Sequence, residues 1–420
     1  MRALITGITG QDGSYMAELL ISKGYEVHGL VRRVSQPNLS NLSAVQDRIK
    51  LHTGDMLDGG SLFRIIDAVR PDEIYNFAGM SQVRDSYDHP DVTQDINAGG
   101  LLRIMEACRT LHLDAKIYQA CSSEMFGKVQ ETPQTEATKF YPRSPYGASK
   151  VAAYNLAKVW REAYGMRVYC GILFNHESPR RGEAFLSRKV CKAVAEIAAG
   201  RRDKLTLGNL EAKRDWGYAR EYVEWIYTIM QHPMADDFVI ATGETHSVKE
   251  FVIAAFARAG IDNWEEFVEY DVDLTRPAEV DLLCGDASKS RKVLGFEPKV
   301  KFAELVNIMV DAEIAKLQVT HSDERRDLTT FPEAKLIVAK KDTVIGGHYH
   351  LKKSEKFVLC EGEALLKLGL FNIQMQRGKI YTVAPGEFHE FHVKQGAVIV
   401  GLNSHPYDAS DDYRRLEVAA

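Results

Sequence analysis

The chain has 420 residues, enough for two or three domains that each bury a core. It is 45% apolar and 26% charged, and its net charge of −5 offers no bulk attraction for nucleic acid or an anionic membrane. No run of about 18 apolar residues occurs and strand-like residues begin at Ala3, so neither a membrane span nor a signal peptide is expected.

In chain order, apolar runs at 3–6, 25–31, 73–78, 116–121 and 167–173 predict strands. Helical spacing near 14–23, 61–69, 93–111 and 146–164 falls between them. Strands alternating with helices predict a parallel sheet covered on both faces. From about 174 the rhythm loosens into helices near 184–199, 221–231, 247–259, 288–294 and 302–319, a substrate lobe interleaved with the end of the sheet. A polar stretch follows, and 320–332 is expected to be a linker. From 333 to 420 short β-type runs replace helical spacing, at 336–338, 356–360, 364–368, 380–383 and 397–402, and predict a small all-β barrel or sandwich. The six cysteines lack paired spacing, as expected of reduced thiols in a cytoplasmic protein.

Gly7, Gly10 and Gly13 lie between the first strand and the first helix. Glycines there let the backbone turn tightly and approach a pyrophosphate, whose charge sits on the helix N-terminus. The second strand ends in Val31-Arg32-Arg33. An acid at that point would accept from a ribose 2′-hydroxyl, whereas arginine suits a 2′-phosphate, so NADP is the expected cofactor. Asp55 and Met56 are candidates for the adenine edge.

Between Ser122 and Lys150 lie a hydroxyl, a carboxylate, a phenol and an ammonium: Ser122, Glu124, Tyr146 and Lys150. Ser144 suits a helix cap and Pro145 the first helical position, which puts Tyr146 and Lys150 on one face. Tyr-x-x-x-Lys occurs twice, again at Tyr154 and Lys158, so the spacing alone selects nothing. The Ser-Pro entry and the upstream Ser122 select the first. A phenolate near neutral pH requires a drop of about 3 units from ~10, and one nearby cation supplies about 1–3. Lys150 is the expected cation, assisted by the positive ring of an oxidised nicotinamide.

The glycine turn with Ser…Tyr-x-x-x-Lys resembles the extended short-chain dehydrogenase/reductases. The phrases ALITGITGQDGSYMAELL, SSEMFG, FYPRSPYGASK, GILFNHESPRRG, LGNLEAKRDWG and RPAEVD resemble the GDP-mannose 4,6-dehydratase family, from residue 3 to about 283 with similarity continuing to about 315. The resemblance implies an NADP-binding, Rossmann-type doubly wound sheet at about 1–173 and a substrate lobe mainly at 174–319. It implies Ser122, Glu124, Tyr146 and Lys150 as the catalytic set. Cofactor contacts would come from Gly7, Gly10, Gly13, Arg32, Asp55, Met56, Ser81, Lys150, His176 and Arg181. Asn175, Lys189, Arg214, Arg276 and Glu279 would line the nucleotide-sugar site. Ser122 stands where threonine is common and keeps the hydroxyl. The run Phe77-Ala-Gly-Met-Ser-Gln-Val departs from the usual Leu-Ala-Ala-Gln-Ser and keeps a related sugar, such as a GDP-manno-heptose, in view. A homodimer or homotetramer is implied, with no nucleic-acid or membrane partner. An NADP-sensing binding protein is the non-enzymatic alternative, which would have no use for Glu124 or Tyr146.

His348-Tyr-His350, Glu355 and Gly362, followed by Gly378, Gly386 and His389, resemble the two motifs of the cupin family. That resemblance implies a β-barrel in which His348, His350, Glu355 and His389 are candidate ligands for a divalent metal. Sugar binding without metal is the alternative. Some cupins resemble keto-sugar isomerases or epimerases, so the barrel would either act on a keto product or serve assembly and regulation.

Overall fold

Strand β1 (Arg2–Thr6) runs into helix α1 (Gln11–Ser22), and the chain returns along β2 (Glu26–Val31). The pattern continues through β3 (Ile49–Thr53), α2 (Gly59–Val69), β4 (Glu73–Asn76), α3 (Gly100–Thr110), β5 (Lys116–Ser122), α4 (Pro145–Tyr164) and β6 (Val168–Leu173). These elements belong to a computed structural model that describes residues 1–36, 38–271, 277–295, 297–322, 326–330, 334–349, 354–368, 371–385, 387–403 and 413–414, with backbone alone at 318–322, 326–330, 334, 346–349, 403 and 413–414. The chain divides into two units, Met1–Glu313 and Ile314–Ala420.

In the first unit seven strands form one sheet in the order β3-β2-β1-β4-β5-β6, closed by Asp237–Ile240. Every pairing is parallel. This is the expected doubly wound sheet. Its strands read as nearly unbroken apolar runs because helices cover both faces; β4 and β6 are buried throughout. The strand order reverses between β1 and β4, where a crevice opens beyond the carboxyl ends of the strands. Buried polar groups tie the strands together just below it: the Thr6 hydroxyl donates to Asn76 Oδ1 at 2.6 Å, and Asn76 Nδ2 donates to Gln119 Oε1 at 2.7 Å.

Two strands were not legible as apolar runs. β3 alternates half-exposed residues with a lysine and a histidine, as suits the sheet's edge. Asp237–Ile240 begins with a charge, but Tyr154 and Arg161 satisfy that carboxylate, each donating at 2.7 Å. Tyr154 is therefore bound into the framework. Its partner in the second Tyr-x-x-x-Lys, Lys158, lies 5.5 Å from the ring centroid. The helix expected over 93–111 is interrupted by a wider π turn at Asp95–Gly99. The lobe helices appear at Leu186–Ala198, Ala219–Gln231, Val248–Arg258, Ser288–Leu294 and Phe302–Gln318.

The second unit is built of antiparallel strands in two sheets. One runs Val319–Ser322, Arg326–Thr330, Ala334–Ala339, Val398–Asn403, Glu355–Glu361, Ile380–Val383. The other runs Phe371–Gln374, Ala364–Leu368, His389–Val393, Thr343–Tyr349, Tyr413–Arg414. Ile337, Phe357, Leu359 and Ile399 from the first sheet share a core with Ile345, Leu366 and Phe391 from the second. Within the 320–332 interval expected to be a linker, Val319–Ser322 and Arg326–Thr330 instead pair as antiparallel strands, a correction for those residues; polar strands near a sheet edge resemble linkers in composition.

Gly7 adopts φ +67°, and a Cβ placed on it would lie 2.8 Å from the amide nitrogen of Ala78. We expect Gly7→Ala to lower the unfolding free energy by about 1–2 kcal/mol from the backbone alone, and more from the clash. Chemical denaturation measures it, and unchanged stability would contradict the assigned turn.

Candidate active site

A cleft of about 880 Å³ opens above the switch point. Gly7, Gly10 and Gly13 line one wall with Arg32, Asp55, Met56 and Ser81, while Ser122, Glu124, Tyr146, Lys150, Asn175, His176, Arg181 and Lys189 line the rest. The structure thus brings together the whole expected catalytic set, the whole expected cofactor set and two of the five expected sugar-nucleotide residues.

The four expected acid–base residues come from three elements: the end of β5, the short turn after it and α4. β5 ends at Ser122, whose hydroxyl accepts from the Glu124 amide at 3.2 Å and so opens a short 3₁₀ turn, Ser123–Met125. That turn holds Glu124 at 8% exposure. Ser144 caps α4 by accepting from the Gly147 amide at 3.0 Å, Pro145 fills the first helical position, and Gly165 ends the helix in the left-handed region. Gly147 is required by contact: a Cβ there would sit 2.6 Å from the Glu124 carbonyl oxygen. The turn bearing the carboxylate and the helix bearing Tyr146 and Lys150 therefore touch backbone to backbone.

Burial pushes the Tyr146 phenol up to about 12, against a hydrogen bond from Ser122 that lowers it; Glu124's charge raises it and Arg181's lowers it. Arg181 was expected only as a cofactor contact, yet it is a cation acting on the phenol. The Lys150 ammonium donates to the Ala120 carbonyl at 2.8 Å and stands 5.8 Å from the Tyr146 ring centroid. Burial holds Lys150 below the usual lysine range. Without a positive ring beside it, Tyr146 is a neutral phenol at pH 7.

Residues that the sequence did not single out complete the cofactor wall. Asp12, in the first turn of α1, meets His176 Nε2 at 2.9 Å, and His176 Nδ1 meets the Phe174 carbonyl at 2.8 Å. Burial alone would lower His176, but the Asp12 carboxylate outweighs it and raises the imidazole. Burial would raise Asp12, and the charge and hydrogen bond of His176 hold it low instead. Gln11 joins the same strap, donating to the His176 carbonyl at 3.1 Å and accepting from Ser178 at 2.8 Å. The signal was present in Gly10-Gln-Asp-Gly13, as polar side chains inside a phosphate-binding turn. The N-terminus of α1 faces the cleft, with Gly10, Gln11, Asp12 and Gly13 on its wall, an arrangement that suits the pyrophosphate of a dinucleotide.

Two of the other expected substrate residues stand away from the cleft. Lys189 lines the cleft and donates to the Thr206 carbonyl at 2.8 Å. The Arg214 guanidinium is buried and donates to the carbonyls of Lys213 at 2.9 Å and Val280 at 2.7 Å. Glu279 accepts from Asn209 at 3.5 Å. Neither Arg214 nor Glu279 is among the described residues that line the cleft, a departure from the expectation. Arg214 differs because backbone oxygens claim its donors. Arg276 lies outside the described residues.

In the second unit Glu355 and His389 are both 1% exposed, with His389 Nε2 3.0 Å from Glu355 Oε2. Lys335 donates to the other carboxylate oxygen at 2.8 Å. Carboxylate and imidazole are both metal-ligating types, but among the described residues no group of three or more His, Cys, Asp or Glu could hold a metal ion, and the Lys335 ammonium is a cation already bound to the carboxylate. His350, the side chain of His348 and Gly386 lie outside the described residues. No helix among the described residues is long and apolar enough to cross a membrane.

Comparison with known proteins bears on the first unit. The family model described as GDP-mannose 4,6 dehydratase matches residues 4–309. GDP-mannose 4,6 dehydratase 1 of Arabidopsis thaliana is 50% identical over 335 residues, spanning 76% of this chain and 92% of the relative. The Homo sapiens GDP-mannose 4,6 dehydratase is 47% identical, spanning 74% and 91%, and that of Vibrio cholerae 43%, spanning 76% and 95%. Among solved structures, a dTDP-glucose 4,6-dehydratase from Streptomyces venezuelae with NAD and TYD bound superposes with a TM-score of 0.67 at 24% identity, over 74% of this chain and 96% of that one. RMD from Pseudomonas aeruginosa complexed with NADPH gives 0.63 at 21%, over 75% and 99%. At that identity the likeness is one of fold, and it agrees with the parallel sheet. The match of the family model to most of the chain, and relatives near half identity over nearly their whole length, show that the chain belongs to the GDP-mannose 4,6-dehydratase family.

Proposed function

We propose that the chain dehydrates GDP-mannose to GDP-4-keto-6-deoxymannose with NADP as a cofactor that ends each cycle oxidised. The observation that carries this reading is the turn at Ser123–Met125, which sets a carboxylate beside a Ser-Tyr-Lys set in one cleft. A simple reductase or epimerase needs no acid–base group there. NADP rather than NAD is supported by Arg32 on the cleft wall at the end of β2.

In this reading Ser122 hydrogen-bonds the sugar's C4 hydroxyl and turns its proton toward Tyr146, which removes it. The nicotinamide, when bound, accepts hydride from C4 and returns it at C6. The C4 ketone acidifies the C5 proton, which Glu124 takes and then delivers to the departing C6 hydroxyl, so that water leaves. Reprotonation at C5 completes the product. Lys150, anchored on Ala120, and Arg181 supply positive charge beside the phenol as it ionises. The same reading makes the protein a cytoplasmic homo-oligomer.

For the second unit the reading is a cupin barrel that acts on the keto sugar with a divalent ion held by Glu355 and His389, joined by His348 and His350. The Lys335–Glu355 ion pair favours a second reading, a metal-free module that serves assembly or regulation. Metal analysis of the purified chain, with deuterium uptake from D₂O by the 4-keto product, separates them. The first expects about one divalent ion per chain and exchange lost in Glu355→Gln; exchange equal to the enzyme-free rate supports the second.

Glu124→Gln is expected to keep NADP binding and lose roughly 10²–10⁴-fold in 6-deoxy-4-keto product, read by mass spectrometry as loss of water. Since the Glu124 charge raises Tyr146, the half-maximal pH for C4 oxidation in this variant should move down. Full turnover would refute the role.

Tyr146→Phe should lose activity on the same scale. Tyr154→Phe should keep turnover and lower the unfolding free energy by about 1–3 kcal/mol, because it leaves Asp237 short of a buried donor. Equal kinetic losses in both would mean that the choice between the two Tyr-x-x-x-Lys pairs is wrong.

A further inference from the structure

One wall of the cleft is fixed to the catalytic tyrosine's own peptide groups. Met80, Ser81, Gln82, Val83 and Arg84 line the cleft in a run without regular structure. At its far end, fully buried Ser86 donates its hydroxyl proton to the Val83 carbonyl at 2.6 Å and accepts from the Tyr146 amide at 3.2 Å. Tyr146 lies in the first turn of α4, where an amide has no acceptor within the helix, so Ser86 satisfies it from outside. The next residue repeats the tie, the Tyr87 hydroxyl donating to the Arg143 carbonyl at 2.6 Å.

At the near end, Asn97 holds both backbone groups of Met80: its Oδ1 accepts from the Met80 amide at 3.0 Å and its Nδ2 donates to the Met80 carbonyl at 3.2 Å. The same Nδ2 reaches Ser149 Oγ at 2.9 Å, and Ser149 donates to the Tyr146 carbonyl at 2.7 Å. Both ends of the wall therefore converge on one residue, Tyr146, through its N–H at Ser86 and its C=O by way of Ser149. Asn97 sits in the π turn at Asp95–Gly99 that interrupts the expected helix.

We propose that Ser86 is a positioning residue, with Asn97 as its counterpart, that locks the Met80–Arg84 wall in register with Tyr146 so that the wall sets which sugar carbon faces the phenol. The inference rests on the proposed nucleotide-sugar chemistry and names the wall as its sugar-selecting surface. Neither Ser86 nor Asn97 is among the residues lining the cleft. Their loss should act through geometry, leaving the cofactor's grip intact.

The test compares Ser86→Ala, Ser86→Thr and Asn97→Asp with the wild type on GDP-mannose and a GDP-manno-heptose. Ser86→Ala is expected to lose roughly 10- to 100-fold in kcat/KM, with a raised KM for the sugar nucleotide, an unchanged NADP dissociation constant and an altered ratio between the two sugars. Ser86→Thr keeps the hydroxyl and should restore most of the loss. Asn97→Asp keeps the acceptor for the Met80 amide but removes both Nδ2 donations. It should show the same split, and it reads the clamp should Ser86→Ala fail to fold. A lowered melting temperature with wild-type KM, kcat and sugar ratio in the folded variants would overturn the proposal. If the wild type does not turn over GDP-mannose, the substrate reading fails, and the clamp is read on whichever nucleotide sugar a panel identifies.

Discussion

The arrangement of the first unit's chemistry depends on one close approach, that of Gly147 to the carbonyl of Glu124. β5 and α4 are separated by a 22-residue excursion, from Ser123 to Ser144, and the backbone bonds of Tyr141 to Phe126 and Lys128, with the Lys150–Ala120 bond, help to bring them together again. The contact does so because position 147 has no side chain and because Ser144 closes the first turn of the helix at that spot. Any side chain at 147 would force apart the turn holding Glu124 and the helix holding Tyr146. The spacing between the turn that carries Glu124 and the helix that carries Tyr146 is thus set by backbone packing, which is stiffer than side-chain choice. A reaction needing two acid–base groups on neighbouring carbons is served by that stiffness.

Charge in the cleft follows the same economy. Asp12 places a carboxylate in the first turn of α1, where a pyrophosphate would otherwise meet a purely attractive helix end. Left alone it would repel the ligand, but the buried His176 answers it at 2.9 Å, so the wall presents a balanced pair. The balance also ties α1 to the strand Asn175–Glu177, which joins the phosphate wall to the side of the cleft carrying Asn175. Arg181, paired with Glu177 and stacked on Phe185, stands close enough to Tyr146 to lower its phenol. Cofactor site and acid–base site share their cations.

What could be read from the sequence follows from which forces are local. The glycine turn, the Ser-Pro entry to α4 and the central strands β1, β2, β4, β5 and β6 rest on local backbone and burial requirements, and they appear where expected. β3 and Asp237–Ile240 were missed since an edge strand and a strand opening on a satisfied charge break the apolar pattern. The strands Val319–Ser322 and Arg326–Thr330 read as a linker for the same reason, their composition being polar and the first of them lying at the sheet's edge. In the second unit Thr343–Tyr349 and His389–Val393 were passed over because paired glycines and alternating histidines dilute the β signal. The site was more legible than the sheet: Ser122, Glu124, Tyr146 and Lys150 are chemistry-bearing types at recognisable spacing. Ser86, Asn97 and Ser149 have no such signature, because their roles exist only as long-range hydrogen bonds.

The altered run Phe77-Ala-Gly-Met-Ser-Gln-Val gains meaning from those bonds. A wall that selects a sugar can diverge in side chain provided its backbone stays in place, and here the backbone is what is held: Met80 by both its N–H and its C=O, Val83 by its C=O. A Cβ at Gly79 would fall 2.8 Å from Asn97 Oδ1, so glycine at that position lets the amide reach the neighbouring peptide. The change from alanine to glycine is then coupled to the clamp rather than to the sugar. Phe77 and Met80, which both line the cleft, remain as the changes free to touch a ligand. A family that keeps Tyr146 and Glu124 fixed while varying such a wall would change which sugar is dehydrated without touching how.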